Sequence, residues 1–153
     1  MNYKKIYSQA LKTILSGKSD SVLRQYPNYY ANNKDLISFN NHSLFLIPKS
    51  KNILAPDIGE RLSETMVETL VPKDDADLTA LLPTDTISGV KPQGRVLKKP
   101  GGTEYQYRMD NSYFGYFDED VKVMVNLNKE TSLFYLFEDE ELVCILAPMR
   151  VKD

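Results

Sequence analysis

The sequence predicts an α+β fold in which the helices are segregated from antiparallel strands. Three observations predict it. A helix-like apolar stripe opens the chain, three short apolar runs separated by asparagine pairs follow it, and three more short apolar runs close it. The length of 153 residues, with 42% hydrophobic and 26% charged residues, is ordinary for one globular domain. We therefore expect a single domain over residues 1–153.

The first predicted helix covers residues 3–16. Asn2 is a suitable N-cap, and Gly17 suits the left-handed conformation that often ends a helix. Apolar side chains recur at helical spacing on one stripe, namely Tyr3, Ile6, Tyr7, Ala10 and Ile14. Three lysines lie off this stripe and are expected to face outward, namely Lys4, Lys5 and Lys12.

Three strands are predicted next, at 24–31, 35–40 and 43–48. The asparagine pairs between them favour tight turns, because asparagine tolerates positive φ and bonds to nearby backbone. The three runs are therefore predicted to form an antiparallel meander. Pro27 has no backbone N–H, so the first of these strands is expected at a sheet edge.

A second helix is predicted over 58–70, with Asp57 as its cap, because apolar residues recur there at every fourth position. The following stretch, 72–102, contains four prolines and four glycines. These residues interrupt regular structure, so we expect an irregular connection there with short strands near 84–90 and 95–98.

The last third is predicted to contain a strand at 103–109 and a short helical piece at 113–120. Strands at 121–127, 132–137 and 142–147 follow, and the first of them alternates strictly between apolar and other residues. A charged turn separates the last two strands.

Two parts of the chain, about 1–71 and 103–151, share one order of elements, a helix followed by three hairpin-linked strands. Two such units can pair their sheets edge to edge and place both helices on one face. The sequence therefore predicts two helix-plus-three-strand units, with the helices on one face of antiparallel sheets.

Composition excludes several classes of protein. The single cysteine, Cys144, excludes a disulfide framework and a multi-cysteine zinc site, and its apolar neighbours favour a buried, inert thiol. No run of about 18 apolar residues is present, so we expect no membrane partner and a cytoplasmic location. Neither acidic cluster has calcium-loop spacing, and His42 is favoured as a turn residue, so no metal, cofactor or catalytic residue is expected.

Three segments carry a family resemblance. The last predicted strand is followed by Pro148-Met149-Arg150-Val151, the segment 37–47 reads ISFNNHSLFLI, and the segment 110–117 reads DNSYFGYF. In this order, and with the repeated helix-led units, they resemble one domain of the bacterial DNA polymerase sliding clamp (beta subunit) family. The match at 37–47 is degraded, because Asn40 and Asn41 stand where that family has Asp-Gly, whereas His42 and Leu44 fit its pattern.

The resemblance implies a non-enzymatic binding protein associated with replication. Clamp helices face duplex DNA, which would give a weak, non-specific DNA contact to Lys4, Lys5 and Lys12. True clamps have three such domains in each chain and dimerise into a six-domain ring. A chain with one such domain would have to form a homo-oligomer, a hexamer, to do the same.

The resemblance also implies a groove for a linear hydrophobic peptide from a replication protein. The matching positions are Pro148, Met149, Arg150 and Val151. Two alternatives stay open from the residues alone. One is a protein–protein interaction module that docks a basic partner on its acidic C-terminal third. The other is an enzyme that uses His42 with nearby carboxylates.

Overall fold

The structure is a computed structural model that describes residues 1–18, 21–29, 33–73, 77–89, 92–102, 105–118, 120–129 and 132–149. The helices are α1 (Tyr3–Ser16) and α2 (Glu64–Leu70), with 3₁₀ helices at Lys49–Lys51 and Asn111–Tyr116. The strands are β1 (Arg24–Tyr29), β2 (Lys34–Asn40), β3 (Ser43–Pro48), β4 (Glu60–Arg61), β5 (Thr79–Ser88), β6 (Gly94–Lys98), β7 (Tyr105–Asp110), β8 (Lys122–Val125), β9 (Phe134–Glu138) and β10 (Glu141–Leu146).

The ten strands form one sheet, in the order β4-β1-β2-β3-β10-β9-β8-β5-β6-β7. Two antiparallel meanders, β1-β2-β3 and β8-β9-β10, meet edge to edge where β3 pairs with β10 and Phe45 lies opposite Cys144. The α+β class and the edge-to-edge pairing agree with the sequence prediction. The sheet is mixed rather than purely antiparallel, because β4 pairs in parallel with β1.

The stretch 72–102 contains more regular structure than its prolines and glycines predict. Strand β5 starts at Thr79 and β6 at Gly94, and with β7 they extend the sheet beyond β8. The β5–β6 register is irregular after Pro83, where Thr84 donates from its hydroxyl to the carbonyl of Val96 over 2.9 Å. A side-chain bond thus replaces ladder bonds beside a residue that has no N–H.

The first helix has the predicted bounds, with the Asn2 side chain accepting from the N–H of Lys5 and Gly17 in the left-handed conformation. The second helix is shorter than predicted, because it begins at Glu64 after a Ser63 cap and not at Asp57. Residues 58 and 59 lead instead into β4. The buried side-chain amide of Gln25, on the neighbouring strand β1, holds the segment before β4 by donating to the carbonyls of Ala55 and Ile58, each over 2.6 Å.

The sheet has two apolar faces. Face 1 packs α1 and the 3₁₀ helix Asn111–Tyr116 over residues such as Ile37 and Phe45, whereas face 2 packs α2 over Leu36 and Leu44. The helices that lead the two units thus share a face, as predicted, whereas α2, for which no face was predicted, lies on the opposite one. The reason is that the central strands are buried on both sides, and both sides need cover.

The sheet curls around the face 1 core. Leu97 of β6 and Met109 of β7 belong to the same buried cluster as Phe134 of β9. After β10, the N–H of Ala147 donates to the carbonyl of His42 over 2.8 Å, and the N–H of Met149 donates to Arg108 over 2.9 Å. The chain after β10 thus bridges from β3 to the far strand β7. No helix among the described residues is long and apolar enough to cross a membrane.

Candidate functional site

An uncovered apolar groove lies on face 2, between α2, the β2–β3 turn and the end of β10. Its cavity volume is about 320 Å³. The groove is lined mainly by apolar side chains, among them Leu44, Leu62, Met66, Leu70, Leu133 and Ile145. Pockets of this volume fall at the small end of the range that binds ligands, about 300–1,000 Å³.

Helix α2 forms one wall of the groove because of its apolar spacing. Leu62, Met66 and Leu70 are four residues apart, so they lie along one side of the helix and of the residues that precede it. Leu62 and Val67 are buried against the sheet, whereas Met66 is 39% exposed and Leu70 is half-buried. Leu62 and Val67 thus fix α2 against the sheet, whereas Met66 and Leu70 are available to contact a ligand.

The β2–β3 turn forms the opposite rim, and a single side chain holds its shape. The side-chain oxygen Oδ1 of Asn40 accepts from the N–H of His42 over 2.8 Å and from the hydroxyl of Ser43 over 2.9 Å. The Asn40 amide nitrogen donates to the Tyr113 hydroxyl over 2.8 Å. The structure therefore places His42 as an exposed turn residue, and its backbone supports the rim.

The charges at the rim are positive or neutral. Arg24 lines the groove and makes a loose ion pair with Glu60, with 3.5 Å between Nε and Oε2. Among the described residues that line the groove, none is Asp or Glu. The groove therefore favours an apolar ligand with a neutral or acidic flank.

Two of the four residues predicted for peptide binding, Pro148 and Met149, directly follow the groove along the chain. Ala147 is the last residue along the chain that lines it. Pro148 is exposed and Met149 is half-buried, with its N–H turned to Arg108 of β7. Arg150 and Val151 lie outside the described residues. The peptide contact predicted for these four residues stays a prediction.

Sequence reasoning missed the residues of the α2 wall and Leu133. The recurrence of Met66 and Leu70 at every fourth position was used only to predict a helix. Only the position of α2 over face 2 shows that this row of side chains covers the sheet incompletely.

The lysines predicted to contact DNA are all exposed on α1. Lys5 is not simply solvated, because its ammonium group lies 4.4 Å from the centre of the Tyr116 ring. Lys4 and Lys12 are likewise exposed on α1. The duplex contact stays a prediction.

An acidic cluster surrounds the start of α1. The Met1 amino group lies 2.8 Å from a carboxylate oxygen of Asp118 and 2.9 Å from one of Glu138, and Lys34 lies 3.0 Å from Glu141. The hydrogen bond from Met1 lowers the pKa of Asp118. Burial disfavours the charged Met1 amino group, but the hydrogen bonds and charges of both carboxylates raise its pKa overall.

Two potentially reactive features have structural explanations. Cys144 is fully buried, which confirms the predicted burial, and burial raises the pKa of its thiol well above the usual value. Burial likewise raises the pKa of Tyr116 to about 12. Within the described part of the chain, no group of three or more His, Cys, Asp or Glu side chains could hold a metal ion.

The chain matches no family model, no curated protein and no solved structure.

Proposed function

We propose that this protein is a non-enzymatic binding module that holds a short hydrophobic segment of another protein in the face 2 groove. The observation that carries the proposal is the uncovered apolar lining between α2 and the end of β10. A groove with an apolar lining and a few polar groups at its rim is the usual form of a site for linear peptides.

The two walls suit this ligand in different ways. The hydrogen bonds of the Asn40 side chain fix the shape of the β2–β3 turn. Less conformational entropy is therefore lost at this rim when a peptide binds. Met66 on the opposite wall is unbranched and polarisable, so it can adapt to apolar side chains of different shape. Arg24 can pair with an acidic residue that flanks the apolar anchor.

The sliding-clamp resemblance supports the same site. One of the three segments that carry it, the turn with His42, lines the groove, and another begins at Pro148, directly after the groove residue Ala147. We propose on this basis that the bound segment belongs to a replication protein. A ring around DNA would further need a homo-oligomer. Light scattering on the purified protein measures its oligomeric state, and a strict monomer would exclude the ring.

The experiment is peptide selection followed by direct binding. Short peptides selected on the protein from a random library would be labelled and titrated by fluorescence polarisation. Met66→Glu places a charge in the groove and should weaken binding at least tenfold. Thr65→Glu adds the same charge to an exposed neighbour on the same helix and should leave binding unchanged. Equal affinity of the two variants would refute the groove as the site.

The alternative module, which docks a basic partner on the acidic C-terminal surface, receives less support. Three of its carboxylates, those of Asp118, Glu138 and Glu141, already have cationic partners within the chain. It stays a prediction, and so does catalysis by His42.

A further inference from the structure

Four large aliphatic side chains are exposed on and beside α1. Leu15 is 83% exposed, Ile53 is 72%, Leu11 is 49% and Ile14 is 41%. Single exposed apolar residues are common on protein surfaces, but a group of them on one region usually marks an interaction site.

A contact of Tyr7 places the segment that contains Ile53 beside α1. The Tyr7 hydroxyl donates to the carbonyl of Lys51, so residues 51–53 lie beside α1. Leu11 and Leu15 continue the row of Tyr7 at steps of four residues, which is one helical row. We define the leucine–lysine face as Leu11, Ile14, Leu15 and Lys12 of α1 together with Lys51 and Ile53.

The charges around this face are positive. Residues 10–18 and 45–56, which contain or flank the face, include four lysines and no Asp or Glu. Asp35, which lies near Tyr7, is buried and accepts from the Asn52 amide. The acidic cluster lies at the other end of α1, about 18 Å from Leu15 along the helix. That distance exceeds the screening length of about 8 Å at physiological salt.

We propose that the leucine–lysine face binds the surface of an anionic phospholipid membrane. Lysines at the headgroup level and aliphatic side chains just below it are the pattern of helices that lie in the membrane interface. Duplex DNA would use the lysines alone and leave Leu15 and Ile53 in water. The sequence excluded a membrane partner only because no segment is long enough to cross, and a peripheral contact needs no such segment.

The test is co-sedimentation of the purified protein with phosphatidylcholine vesicles that contain or lack phosphatidylserine. We expect binding to the serine-containing vesicles only. Because each lysine at an anionic surface raises the partition constant about fivefold, the double variant K12Q/K51Q should bind about 25-fold more weakly. The double variant L11Q/L15Q should lose roughly tenfold or more.

Matched controls are K122Q/K129Q for the lysines and Leu127→Gln for the leucines, since these residues are exposed on other parts of the surface. Both controls should bind as the unchanged protein does. The comparison of the two vesicle types needs no variant, so it holds even if a variant folds poorly.

Three results would overturn the proposal. One is equal sedimentation with both vesicle types. Another is retention on duplex DNA that K12Q/K51Q abolishes and L11Q/L15Q does not, without vesicle binding. The last is a dimer in light scattering that L11Q/L15Q converts to a monomer, because a second copy would then cover the face.

Discussion

Replacing Gln25 with methionine should destabilise the protein and loosen the groove. Gln25 is 2% exposed, and its amide donates to the carbonyls of Ala55 and Ile58, each over 2.6 Å. Methionine has a similar length but cannot donate, so two carbonyl oxygens lose a partner. The main-chain bonds of Leu23 and Gln25 to residues 60 and 62 would remain.

The expected cost follows from these two bonds. A buried polar group that loses its partner costs about 1–3 kcal/mol, but Ala55 is exposed and Ile58 is only partly buried, which reduces the share of both carbonyls. The free energy of unfolding of Gln25→Met should therefore fall by about 1–2 kcal/mol. With an ordinary urea dependence, this lowers the unfolding midpoint by about 0.5–1 M.

The assay is urea unfolding followed by circular dichroism, with Gln93→Met as the control. Gln93 is exposed, so the same substitution there should change the free energy of unfolding by less than about 0.5 kcal/mol. Gln25→Met should also weaken binding of a groove peptide, because residues 55–62 position the start of α2. Equal midpoints for the two variants would refute the claim that Gln25 holds this segment.

Three further predictions concern stability and reactivity. Phe45→Ala should cost about 3–5 kcal/mol in urea unfolding, because Phe45 is fully buried and stacks 5.2 Å from Phe39; a cost below about 1 kcal/mol would contradict this packing. Cys144 should react with a thiol reagent only at the rate of unfolding, and rapid labelling in native buffer would show that the thiol is accessible. Folding raises the pKa of the Met1 amino group above its ordinary value of 8.0. The stability that this group contributes is therefore complete below about pH 8.0 and is lost as pH rises through the pKa of the folded protein. Because Glu138→Gln removes one of the paired carboxylates, the melting temperature of that variant should fall less above about pH 8. An unchanged alkaline slope in that variant would argue against the ion pair.

Local signals in the sequence were sufficient for much of the fold. The bounds of α1 follow from the Asn2 cap, the apolar stripe and Gly17, all within the segment itself. Strand β3 was predicted with its observed bounds, because asparagines and a proline flank a short apolar run. The joining of two meanders followed from the repeated order of elements.

The remaining features depend on contacts between distant residues. The late start of α2 depends on Gln25, which lies 30 residues before Ala55 and binds its carbonyl. Helix α2 lies on face 2 because β2 and β3 are buried on both sides of the sheet. The sequence predicted these two strands from their apolar runs, but it did not indicate which face each side chain covers. The groove combines residues from 24 to 147, so no single stretch of sequence indicates it.

The side chain of Asn40 connects the two faces of the sheet. One end of this amide shapes the turn at the groove, and the other end bonds to Tyr113 of the aromatic 3₁₀ helix, which contacts α1 on face 1. A ligand that displaced the turn would have to strain or break that bond. We therefore expect the packing of the 3₁₀ helix on face 1 to respond when a ligand occupies the groove on face 2.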